Sequence, residues 1–189
     1  MDSLYFEDIL VGQTWVSPRR TVTEADVIQF ATMTGDFNPL HVDYDFASKS
    51  HYHQPIAHGL LGLSWVAGLG SYFPSVNTLA FTSLKNWEFC LPIFFGDTVY
   101  VDTRCQEKFA TGRKSGKVIW DRRLINQDNQ IVQQGVFETL VAMKVRGNRV
   151  DVGHETSRPV QQSNQAPADR LPPASGGTRM DPNSLIKRP

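Results

Sequence analysis

The chain has 189 residues, 40% of them apolar and 20% charged, and its formal net charge is zero at neutral pH. That balance fits a globular domain and argues against nucleic acid or an anionic membrane as partner. Two cysteines, Cys90 and Cys105, are too few for a disulfide scaffold, so a reducing cytoplasm is the expected setting. No apolar run reaches the roughly 20 residues of a membrane span, and the acidic start from Asp2 to Asp8 predicts no signal or transit peptide.

The first element expected is a helix over 24–33. Thr23 can cap it, Glu24 and Asp26 suit the positive end of its dipole, and Gly35 can end it. Val27, Phe30 and Ala31 share its apolar face. The segment Gly35-Asp36-Phe37-Asn38-Pro39-Leu40-His41 then reads as a stiff turn, because Pro39 has a fixed φ and also restricts Asn38. A short helix is expected over 44–50. Residues 59–72 form another helix with no polar face, which predicts burial on all sides. Four long strands follow, over 78–89, 98–109, 117–126 and 131–145, separated by Gly96-Asp97, Gly112 with Gly116, and Gln127-Asp128-Asn129. This order predicts an α+β domain in which a curved antiparallel sheet wraps a central helix.

Composition changes near residue 147. The stretch 151–189 holds six of the eleven prolines and no aromatic residue. Such a segment buries too little apolar area to offset its ordering entropy. The expected organisation is a domain over 1–147 and a flexible Pro/Gln/Ser-rich tail over 148–189; the competing reading is an arm packed on a neighbouring subunit.

Asp36 and His41 place a carboxylate and an imidazole five residues apart on the stiff turn, as proton-transfer chemistry requires. Local physics alone favours the plainer reading, a carboxylate after a helix end and a satisfied surface histidine. His58-Gly59 opens the apolar helix, where unpaired N–H groups and a missing Cβ make an oxyanion site feasible. A plain loop-to-helix junction explains the same residues. His41, His51, His53 and His58, with Asp43, invite a metal, but no spacing matches a zinc signature, so none is expected. The cysteines sit in predicted strands without a paired histidine.

The string from Phe30 to His41 resembles the hydratase signature of the MaoC-like family, which includes (R)-specific enoyl-CoA hydratases. The resemblance extends through Tyr5-Phe6-Glu7-Asp8, Arg20-Thr21-Val22-Thr23, Pro55-Ile56-Ala57-His58-Gly59 and Pro92-Ile93-Phe94-Phe95-Gly96-Asp97, covering about 5–145. It implies a hotdog fold, a homodimer or higher homo-oligomer, and an acyl-CoA or acyl-carrier-protein thioester as substrate. It carries the water-activating roles onto Asp36 and His41 and the thioester-oxygen contact onto Gly59. Asn38 and His58 would support them, and Ser64 is the candidate for a helix serine that orients the aspartate. It implies no cofactor beyond the thioester itself. A thioesterase, or a hotdog protein that binds acyl thioesters without turnover, are the competing functions. Trp65, Phe73, Phe81 and Trp87 are candidate acyl-pocket residues, although core packing is the commoner fate of aromatics.

Overall fold

Helix α1 (Glu24–Thr34) begins where the sequence places a cap. Thr23 Oγ1 accepts from the Asp26 N–H at 3.2 Å, and Asp26 accepts in return from the Thr23 N–H at 3.0 Å. Gly35 closes the helix at φ 79°, a left-handed conformation that favours glycine. Thr23→Ala should lower stability by about 1 kcal/mol, read as a reduced urea midpoint.

The computed structural model describes residues 3–144, all within the unit Met1–Gly147. The tail expected over 148–189 lies outside the described residues. After a 3-10 turn at Phe6–Asp8 come β1 (Thr14–Val16), β2 (Arg20–Thr21), α1, α2 (Pro39–Val42), α3 (Tyr44–Ser48) and α4 (Gly59–Gly70). The long strands are β3 (Thr78–Phe89), β4 (Thr98–Ala110), β5 (Ser115–Ile125) and β6 (Ile131–Ala142). The sheet runs β1-β4-β5-β6-β3, with β2 also on β4, and every pairing is antiparallel.

One face of this sheet holds α4. Strand register puts Trp120 opposite Phe137, Arg122 opposite Gly135 and Leu124 opposite Gln133. These pairs share the inward face with Val99 and Val101, and Leu61 and Val66 of α4 pack onto it. A Cβ at Gly62 would collide with the Gln133 amide and Ile93, so that glycine lets the helix seat closely. Trp65 and Trp87 pack against this core, whereas Phe81 is 57% exposed.

Several expectations change. Helix α4 is not buried on all sides: Leu60 is 58% exposed, and Ser64, Ala67 and Gly68 are exposed too. Their spacing puts them on one face, and a single sheet covers only the opposite face. The helix ends at Gly70 rather than residue 72. The stiff turn holds a short helix, α2, with Pro39 in its first turn and Asn38 as its cap. Strands β1 and β2 are too short for an alternation signal. Strand β3 ends at Phe89 as expected, which leaves Cys90 outside a strand, exposed and free.

Candidate active site

Three short elements meet at the N-terminal end of α4. The end of α1 delivers Asp36. The Asp36 N–H donates to Thr34 Oγ1 at 3.3 Å, and Asp36 Oδ1 accepts from the Asn38 N–H at 3.3 Å. Asn38 then caps α2, its Oδ1 accepting from the Leu40 N–H at 3.0 Å and its carbonyl from the His41 N–H at 2.9 Å. These local bonds hold the carboxylate and the imidazole relative to one another.

His41 Nδ1 lies 2.8 Å from the Ile56 carbonyl oxygen. A carbonyl only accepts, so Nδ1 carries the proton and Nε2 keeps its lone pair. Burial holds the His41 pKa below its ordinary value of 6.5, and neighbouring His58 pushes the same way; the Ile56 bond and Asp36 oppose them. His41 is therefore a neutral base at neutral pH. The acid limb of the pH–rate profile should fall below the usual histidine range. Stability should follow the same sign. The folded state binds fewer protons than the unfolded chain, so this contribution is lost as pH falls from 6.5 toward the depressed value. Initial rates and thermal midpoints across mildly acidic pH check both.

His58 is buried, 2% exposed, and caps α4. Its Nε2 donates to the Asp36 main-chain oxygen at 2.9 Å and lies 3.9 Å from Asp36 Oδ2. Its ring stacks on His41 at 3.8 Å and against Phe30 at 5.1 Å. His58 thus ties the Asp36 backbone to the helix N-terminus. One ligand atom each from Asp36, His41 and His58 falls within 4.8 Å of the others, a spacing short enough for a metal ion. However, His41 Nδ1 and His58 Nε2 are already taken by carbonyls, leaving one nitrogen on each ring. The other residues of the metal hypothesis lie elsewhere: His51 stacks on Tyr52 in a turn, and Asp43 caps α3.

Gly59 is the first residue of α4, so its N–H is among the four without an intrahelical partner. Gln133 Nε2 donates to its carbonyl at 2.9 Å, and a Cβ on Gly59 would meet the Phe89 ring at 2.9 Å. A cavity of about 280 Å³ opens here, lined by Tyr52, Ile56, Gly59, Phe89, Cys90 and Gln133. Ile56, Phe89 and Gln133 escaped sequence reasoning. The available signal was that Gln133 shares an inward-facing register with Gly135 and Phe137. The Ser64 hydroxyl donates to the Leu60 carbonyl at 2.8 Å on the exposed side of α4, and no hydrogen bond joins it to Asp36.

A sheet wrapped on a central helix, with a carboxylate and an imidazole gathered at that helix's N-terminus, defines an α+β protein of the hotdog class. A solved structure from Mycobacterium tuberculosis, described as having a double hotdog fold, superposes with a TM-score of 0.69 at 19% identity, over 76% of this chain and 45% of that one. The family model for the MaoC like domain matches residues 9–127, and the chain belongs to that family. An (R)-specific enoyl-CoA hydratase of Rhodospirillum rubrum is 33% identical over 125 residues, covering 61% of this chain and 85% of that protein. Protein MaoC of Klebsiella aerogenes is 34% identical over 111 residues, covering 59% of this chain; the match spans 33% of its own length.

Proposed function

We propose that this protein adds water reversibly across the 2,3 double bond of an enoyl thioester, giving a 3-hydroxyacyl thioester of (R) configuration. The observation that carries the reading is the convergence of Asp36, His41 and Gly59 on one helix N-terminus. Hydration needs a base for water, a proton for the α-carbon and a donor for the thioester oxygen. Asp36 Oδ2 and the His41 Nε2 lone pair can share one water and take its proton as its oxygen attacks the β-carbon. The same pair returns a proton to the α-carbon. The Gly59 N–H, backed by the helix dipole, stabilises the charge that builds on the thioester oxygen. No metal or redox cofactor enters these steps. The carrier is coenzyme A or an acyl-carrier protein.

The working unit in this reading is a homodimer. Strand β3 is a 12-residue sheet edge that exposes Leu79, Phe81, Leu84 and Phe89, beside the exposed Leu60 of α4. An open apolar edge of that length is a pairing surface, and a second copy supplies a matching one.

Crotonyl-CoA tests the reaction class. A hydratase bleaches the enoyl absorbance and leaves a thiol-reactive dye silent. Release of free thiol would instead establish a thioesterase. Binding without either change would establish a non-catalytic thioester-binding protein.

A further inference from the structure

A second cavity, of about 180 Å³, opens between the C-terminal half of α4 and β3. Ala67, Thr78 and Phe81 stand at its rim, Phe81 also lying on the β3 edge proposed to pair with a second copy, and Gly70, Phe137 and Arg122 line it further in. Arg122 is 6% exposed. Its guanidinium donates to the Gly70 carbonyl at 2.9 Å and the Val66 carbonyl at 3.4 Å, and stands 4.7 Å over the Phe137 ring. Its Nε has no partner, and no carboxylate pairs with it among the described residues.

This charge is only partly compensated. The carbonyl end of a helix carries about half a unit of negative charge. A full positive charge shut away from water needs a full counter-charge, or it destabilises the fold. Burial pushes the Arg122 pKa down to about 10, which still leaves it charged at neutral pH. A structural cap would suffice at the helix end without an adjoining cavity. Here the guanidinium instead forms part of a cavity wall that is otherwise largely apolar. Gly70 is what admits it, since a Cβ there would stand 2.6 Å from an Arg122 nitrogen.

The cavity and the reaction site lie at opposite ends of α4, about 16 Å apart along the helix. Between them the exposed face carries Leu60 at its start and then Ser64, Ala67 and Gly68, which past Leu60 are too small to block an extended chain. We propose that this cavity is a subsite for a carboxylate at the far end of the acyl chain, held by Arg122, so that the preferred substrates are enoyl thioesters of dicarboxylic acids. The proposal rests on the hydratase reading and adds to it the substrate class.

The test uses the full chain and trans-2-enoyl-CoA thioesters of graded length, each made with a methyl end and with a carboxylate end. At the length that spans the helix, kcat/KM should favour the carboxylate end by at least about tenfold, the worth of a charged hydrogen bond. Arg122→Gln should bring that ratio close to one. Because Arg122 also caps α4, Ala67→Phe serves as a second variant: it fills the rim, keeps the guanidinium, and should collapse the same ratio. Parity in the wild type, or a preference that survives both substitutions, overturns the proposal. If the wild type hydrates neither series, the hydratase reading itself fails, and free suberate decides the subsite. A thermal midpoint raised by suberate in the wild type but not in Ala67→Phe keeps the subsite; no rise removes it.

Discussion

Asp36→Asn should give a folded protein that hydrates crotonyl-CoA about 10²–10⁴-fold more slowly. The asparagine has nearly the same shape, and its carbonyl oxygen can still accept from the Asn38 N–H that Asp36 Oδ1 accepts from at 3.3 Å. The Asp36 side chain is also 54% exposed, so losing its charge leaves no buried group unpaired. What disappears is the capacity to take a proton. His41→Gln makes the complementary change: the amide can still donate toward the Ile56 carbonyl, but the Nε2 lone pair is gone. A similar loss is expected. In the proposed mechanism both groups act on one water, so the double variant should lose little more than either single one. Turnover with circular dichroism on all three proteins checks this. Near wild-type turnover in either single variant removes that residue from the chemistry.

The parts of this site that were legible in the sequence are those made by near neighbours. The Thr23 cap, the Gly35 stop and the Asn38-Pro39 turn are each set within a few residues, so their chemistry shows in the string itself. What was hidden depends on distant pairing. The tautomer of His41 is set by Ile56, and the hold of His58 on Asp36 spans 22 residues. Gln133 reaches Gly59 across 74 residues, through strand register alone. Ser64 shows the reverse case, a residue whose hydroxyl bonds to the Leu60 carbonyl and not to Asp36. It lies on the right helix, but helical phase turns it to the exposed face. The same phase explains why an apolar run predicted complete burial. Periodicity reports that α4 lacks a polar face, not how many layers surround it.

Gly59 allows the proposed oxyanion role to be separated from crowding against Phe89. Gly59→Ala and Gly59→Pro both add a Cβ that meets the Phe89 ring, and both should respond to it alike. Phe89 is 54% exposed, so its ring has room to swing away. Proline is tolerated at the first position of a helix, where its missing N–H breaks no intrahelical bond. His58, with φ −59° and ψ 133°, already has the extended backbone that a following proline demands. The two variants should therefore have similar thermal midpoints. They differ in the N–H that the proposed mechanism aims at the thioester oxygen, which proline replaces with its ring Cδ. Gly59→Pro should fall about 10²–10³-fold below Gly59→Ala in kcat. The loss belongs in kcat because negative charge on that oxygen builds only toward the transition state. Equal turnover in the two variants would show that the Gly59 N–H does not stabilise the oxygen and that glycine serves there only to make room.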